Sequence, residues 1–170
     1  SSGESWSVQA WRLNVTISTE AIKTSVFDGN GSTTAFAFAF KTFLASDLVV
    51  TLTRGSASGT SGAEEIETLT TDYTVALNSN QDSDPGGTVT MVVAPAAGSP
   101  AEKLVISNEA AYTQGVDLVS GGAFNANVIE DAIDRNTILA RRAQELTTRS
   151  IQIPITDDTG TTVELPTETL

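Results

Sequence analysis

Along most of the chain, hydrophobic and polar positions alternate at period two, the signature of half-buried strands. Trp11, Leu13, Val15 and Ile17 alternate with Arg12, Asn14 and Thr16, with Trp6 and Val8 ahead of them. Phe36, Phe38 and Phe40 alternate with alanines and predict three rings on one buried face. Between Ser25–Phe27 and that run stands Asp28-Gly29-Asn30-Gly31, whose residue types suit the positive φ angles of a tight hairpin turn. Further strands are expected over Leu48–Thr53, Glu65–Thr70, Tyr73–Leu77, Thr88–Val93 and Lys103–Ser107. Gly55 to Gly62 reads as a flexible loop tip, and Asn78–Gly87 and Ala94–Pro100 as turns. Short strands punctuated by Gly, Pro and Asn predict a small antiparallel β-sandwich or barrel.

The period changes once. From Phe124 to Arg149 apolar residues recur every three or four positions, which predicts an amphipathic helix. Val128, Ala132, Leu139, Ala143 and Leu146 form one stripe, and Ile129, Ile133 and Ala140 widen it. The acids Glu130, Asp131 and Asp134 come early and the arginines late, as the helix dipole favours. Asp131–Arg135 and Glu145–Arg149 are spaced as i,i+4 pairs. Pro154 ends the helix. The fold expected is thus mainly β with one long α-helix, in four parts. Residues 1–20 form an N-terminal arm and 21–122 the antiparallel β domain. Residues 123–150 form the helix and 151–170 an extended lead-in to something further along. The chain begins at Ser1 rather than methionine and is expected to be trimmed or part of something longer.

Composition narrows the function. A chain of 170 residues with 39% hydrophobic residues can bury one core. Zero histidine and zero cysteine remove the Ser-His-Asp and thiol nucleophile arrangements, imidazole and thiolate metal sites, and disulfides. A formal net charge of −12 argues against a broad nucleic-acid surface, although Arg135, Arg141, Arg142 and Arg149 cluster on the helix. The apolar runs are too short to predict a membrane-spanning helix, and no secretory signal pattern opens the chain. Asp82-Ser-Asp84-Pro-Gly86 has a calcium-loop look but lacks the downstream glutamate, so a solvated turn is the simpler reading. Glu64, Glu65 and Glu67 read as a charged strand edge. Two carboxylates such as Asp72 and Glu109 could serve a glycosidase, but no sequence feature places them around a cleft. No catalysis, cofactor or metal is expected.

Four segments read in order resemble the N-terminal attachment domain of bacteriophage tail fibres and tailspikes, especially those of short-tailed phages. They are DGNGSTTAFAFAFKTFLASDLVVTL, TLTTDYTV, GGTVTMVVAPAAG and LVISNEAAYTQGVDLVSGGAFNANVIEDAIDR, and the likeness covers about Phe27 to Ile153. It implies a structural virion protein: a β domain and helix at the start of a trimeric fibre, docking on tail tube, nozzle or adaptor proteins. The distal part of such a fibre recognises the host. Neither nucleic acid nor membrane is an expected partner. Asn108 stands where that family often has an arginine, and the arm has no counterpart in it. The helix stripe Val128, Ala132, Leu139, Ala143 and Leu146 is expected to face sister helices, with Ile129, Ile133 and Ala140 turned to the β domain. Trp6, Trp11, Leu13, Val15 and Ile17 are expected to pack as an added strand on this sheet or on a neighbouring subunit. The alternative is a carbohydrate-binding β-sandwich module with Trp6, Trp11, Tyr73 or Tyr112 as sugar platforms.

Overall fold

The computed structural model describes Ile17 and residues 21–57, 61–114 and 125–150. The arm residues Trp6, Trp11, Leu13 and Val15 lie outside the described residues, as does the expected lead-in 151–170. Two antiparallel sheets face each other. The first has strand order β1 (Phe27–Asp28), β7 (Lys103–Asn108), β3 (Leu48–Thr53), β4 (Glu64–Ile66). The second has β2 (Ala35–Phe38), β6 (Gly87–Met91), β5 (Tyr73–Leu77). A single turn of 3-10 helix, Ala45–Asp47, leads into β3, and α1 spans Ala126–Thr148. This is the β-sandwich with one long helix that the alternation predicts.

The core follows from the pleat. Leu48, Val50 and Leu52 point inward from β3, and Leu104 and Ile106 from β7, against Phe36, Phe38, Tyr73, Val89 and Met91 of the second sheet. Phe40 completes the predicted alternation at 3% exposure, and its ring lies 5.0 Å from that of Phe38. Burial of each such ring stabilises the fold by about 1.5–3 kcal/mol. Tyr73 is buried among them, and its hydroxyl donates to the Leu48 carbonyl at 2.9 Å. At Gly86 the backbone has φ +113°, and a Cβ would stand 2.1 Å from the Phe38 carbonyl oxygen, so only glycine fits.

Two local expectations fail. The strand expected over Glu65–Thr70 runs only over Glu64–Ile66, because the chain then turns, with Thr71 and Asp72 N–H donating to the Thr68 carbonyl. Asp28–Gly31 does not join a hairpin, because the strands on either side belong to different sheets. Phe27 pairs with Leu104 of β7, whereas Phe36 pairs with Val89 of β6. The intervening residues are tied to other loops: Gly29 N–H donates to Glu102 and Gly31 N–H to Pro95. Asn30 caps the turn by accepting from the backbone of Ser32 and Thr33 at 2.9 and 2.7 Å. The turn chemistry is real, but non-local pairing decides where the chain goes next. The N-terminal side of β1 also runs along β7, with Thr24 N–H donating to Ile106 and Ile22 accepting from Asn108.

Candidate assembly site

Helix α1 lies on the sandwich, and its seat is mostly polar. Asn125 caps its start, the side chain accepting from Asn127 N–H at 3.2 Å. Two helix residues are buried, Asp134 and Ile138. Lys41, immediately after the phenylalanine run, is itself buried and donates to Asp134 at 2.7 Å. It also pairs with Asp82 and comes within 3.9 Å of Asp131. Burial alone would lower the Lys41 pKa, but the hydrogen bonds it donates to Asp134 and Asp82 outweigh it and hold the ammonium above its ordinary range. Asn108 closes the same corner, donating to the Lys41 carbonyl at 3.1 Å and accepting from Ala110 N–H.

Further along, Arg135 donates to the carbonyls of Ala111 and Thr113 at 3.1 and 3.3 Å. Arg142 donates to the Ala110 carbonyl at 2.9 Å, pairs with Glu109 at 3.1 Å and lies 5.1 Å over the Tyr112 ring. Near the end of the helix, Glu145 pairs with Lys23 and, at 2.9 Å, with Arg149. Burial raises the Glu145 carboxyl, but the bonds from Lys23 and Arg149 prevail and leave its pKa below the ordinary range. Of the two i,i+4 pairs expected, Glu145–Arg149 forms. Asp131 and Arg135 instead face Lys41 and the 111–113 backbone.

The helix therefore sits differently from the way its apolar stripe suggests. Ile133 is 59% exposed and Ala140 is exposed, so the structure does not place them against the β domain; Ile129 is half-buried. At about 100° per residue, Ile133 lies about 140° around the helix from buried Ile138, and Ala140 about 160°. The physical reason is that the sandwich offers this helix Lys41, Lys23 and a row of carbonyls, which attract charge and guanidinium groups rather than methyls. Of the other stripe, Val128, Ala132 and Leu139 are half-buried, while Ala143 and Leu146 are exposed. Ala132 and Leu139 border a groove against Tyr112, Thr113 and Gln114. Of the arm, Ile17 is half-buried.

The other candidate chemistry is dispersed. Asp82 is taken by Lys41, and no cluster of acidic ligands suited to a metal occurs among the described residues. Asp72 lines a cleft at the open edge of the sandwich with Arg54, Glu65, Glu67 and Glu102, while Glu109 faces Arg142 on the helix. The structure does not bring Asp72 and Glu109 into one site. In that cleft Arg54 bridges buried Glu102 at 3.0 Å and exposed Glu65. Burial, with Asp72 and Glu65 nearby, raises the Glu67 carboxyl. Of the described sugar-platform candidates, Tyr73 is buried, whereas Tyr112 is 59% exposed beneath Arg142. No described helix is long and apolar enough to cross a membrane.

Sequence reasoning missed Lys41, Lys23 and Ile138 as the helix seat. The available hint was the lysine placed directly after a buried alternating run, opposite an Asp131/Asp134 pair spaced three apart.

No protein-family profile matches the chain. It is similar to the "Tail spike protein" of Salmonella phage epsilon15, with 34% identity over 140 residues that cover 82% of this chain and 12% of that protein. Over most of its length the chain is thus a relative of a bacteriophage tail protein, and it spans about an eighth of that relative's length.

Proposed function

We propose that this chain is the attachment portion of a phage tail spike or fibre, a structural part of the virion tail. In this reading the sandwich seats the fibre on a tail tube, nozzle or adaptor protein. Helix α1 gathers three copies and hands over to a distal shaft that meets the host. The part itself performs no catalysis.

The observation that carries the proposal is the relation to a phage tail spike across 82% of the chain, of which it spans only 12%. A module matched to so small a share of a spike is suited to one task within it. The sandwich with a polar-seated helix adds support, because the helix keeps uncharged, largely apolar residues such as Ile133 and Ala140 in the open. A contiguous strip of exposed apolar side chains on an otherwise strongly acidic chain suits an assembly surface.

The test uses phage particles assembled without their spikes. Purified chain should co-sediment with their tails and, in excess, block later incorporation of intact spike. A chain that stays in the supernatant and leaves spike incorporation unchanged would exclude the attachment role. Release of reducing sugar from host glycan by this chain would exclude the non-catalytic part.

A further inference from the structure

The charged residues of α1 are not spread around it. Asp131, Asp134, Arg142 and Glu145 lie within about 40° of Ile138 on the helix circumference, and Arg135 within about 60°. Arg141 and Glu130 mark the other edge, within about 80°. The far half of the helix carries no charge, and along it runs the row Ala126, Ile129, Ile133, Asn136, Ala140, Ala143 and Thr147. In a chain with net charge −12, this inverts the usual arrangement of a surface helix: charge toward its own domain, uncharged side chains outward.

The spacing of that outer row is 3, 4, 3, 4, 3, 4 from Ala126 to Thr147, the heptad alternation of a coiled-coil seam. Ala126, Ile133, Ala140 and Thr147 then occupy a positions, and Ile129, Asn136 and Ala143 occupy d. The Thr147 hydroxyl donates to the Ala143 carbonyl at 2.8 Å, satisfying its polar group within the helix. The flank bearing Leu139 and Leu146 borders grooves against the chain's own residues, Tyr112 on one side, where Asn136 of the outer row reaches the same groove, and Ile22, Thr51 and Val105 on the other.

We infer that α1 meets two further copies of this chain through the Ile129–Ile133–Ala140–Ala143 seam, and not through the Val128–Leu139–Leu146 flank. The inference rests on the trimer reading above and names its contact face. Charge selects the occupant. Copies of so acidic a chain repel one another over most of their surface, and this strip is uncharged on every copy, so it is complementary to itself. Isoleucine at both a and d favours three strands or more over two, and the alanines that follow let the helices stay close. Asn136 in the seam fixes the register, the best-attested use of a polar core residue.

Because the chain has no cysteine, single cysteines report the face directly. Oxidised Ala140→Cys and Ala143→Cys chains should run as covalent dimers on a non-reducing gel, while Leu146→Cys stays single. Ile133→Asp with Ala140→Asp should abolish the threefold mass in sedimentation and leave the circular dichroism of the β domain unchanged; Leu139→Asp should not abolish it. Cross-linking through Leu146→Cys alone, or a threefold mass that survives the Ile133/Ala140 double change, overturns the seam while leaving the trimer. A monomeric unaltered chain at tens of micromolar that forms no covalent dimer from any of the three cysteines overturns the trimer reading itself, and the seam with it.

Discussion

Lys41 and Asp134 form an ion pair between the sandwich and the helix, 2.7 Å apart, with side chains only 3% and 8% exposed. A pair so thoroughly removed from water contributes little net stability beside an apolar pair of the same shape, but removing one partner takes a close counter-charge from the other. Lys41 is therefore a lock on position more than a source of stability. It fixes which face of α1 is turned down, since Asp134 can satisfy it from one rotation of the helix only.

Replacing Lys41 by Met should cost about 3–5 kcal/mol, because Asp134 loses the Lys41 ammonium in a buried position. Combining it with Asp134→Leu should recover most of the loss. Urea unfolding of the two single variants and the double variant checks this; additive losses would show that the two residues do not act as a pair.

Phe38 lies 5% exposed between the sheets, and Phe38→Ala should destabilise the sandwich by about 3–5 kcal/mol. Phe43, outside the buried core and 5.1 Å from the Lys41 ammonium, should tolerate the same change far better. Thermal melts of the two variants supply the comparison.

Ile138 is the buried apolar residue of the helix, at 4% exposure. Ile138→Asp should release α1 from the sandwich without unfolding it, since the core cluster between the sheets contains no helix residue. Amide hydrogen exchange would then show loss of protection confined to 126–148, with β3, β6 and β7 unchanged. Loss of protection throughout would mean the helix and sandwich fold as one unit.

The pH dependence of helix docking follows from two shifts of opposite kind. Glu145 has its carboxyl pKa held below the ordinary range by Lys23 and Arg149, against the effect of burial. Its contribution is complete above the ordinary glutamate pKa of about 4.3 and is lost as pH falls through the lower folded value. Lys41 is raised, so its contribution is complete below about 10.4 and is lost as pH rises through the higher folded value. Unaltered chain should thus exceed Glu145→Gln in urea midpoint at neutral pH, and the difference should shrink toward zero in acid. A difference that persists at pH values where Glu145 is protonated would assign the effect to shape rather than charge.

The sequence by itself determined the strands and the helix, because those depend on local periodicity. Alternation set which of Phe36–Phe40 faces inward, and Leu48–Thr53 and Tyr73–Leu77 match their strands residue for residue. The missing histidine and cysteine limited the chemistry before any fold was known. Only the tertiary structure decided pairing and orientation. Asp28–Gly31 reads as a hairpin, yet the chain crosses between sheets there, because β7 and β6 are the better partners for its two sides. The rotation of α1 was equally hidden. Hydrophobic periodicity says that a helix has two faces, and the usual assumption turns the apolar one inward. Here Lys41, Lys23 and the carbonyls of 110–113 offer a polar seat, so the charges face in and Ile133 faces out. The surface a helix meets, assembled from residues about 20 to 120 positions away in the chain, decides which face it buries.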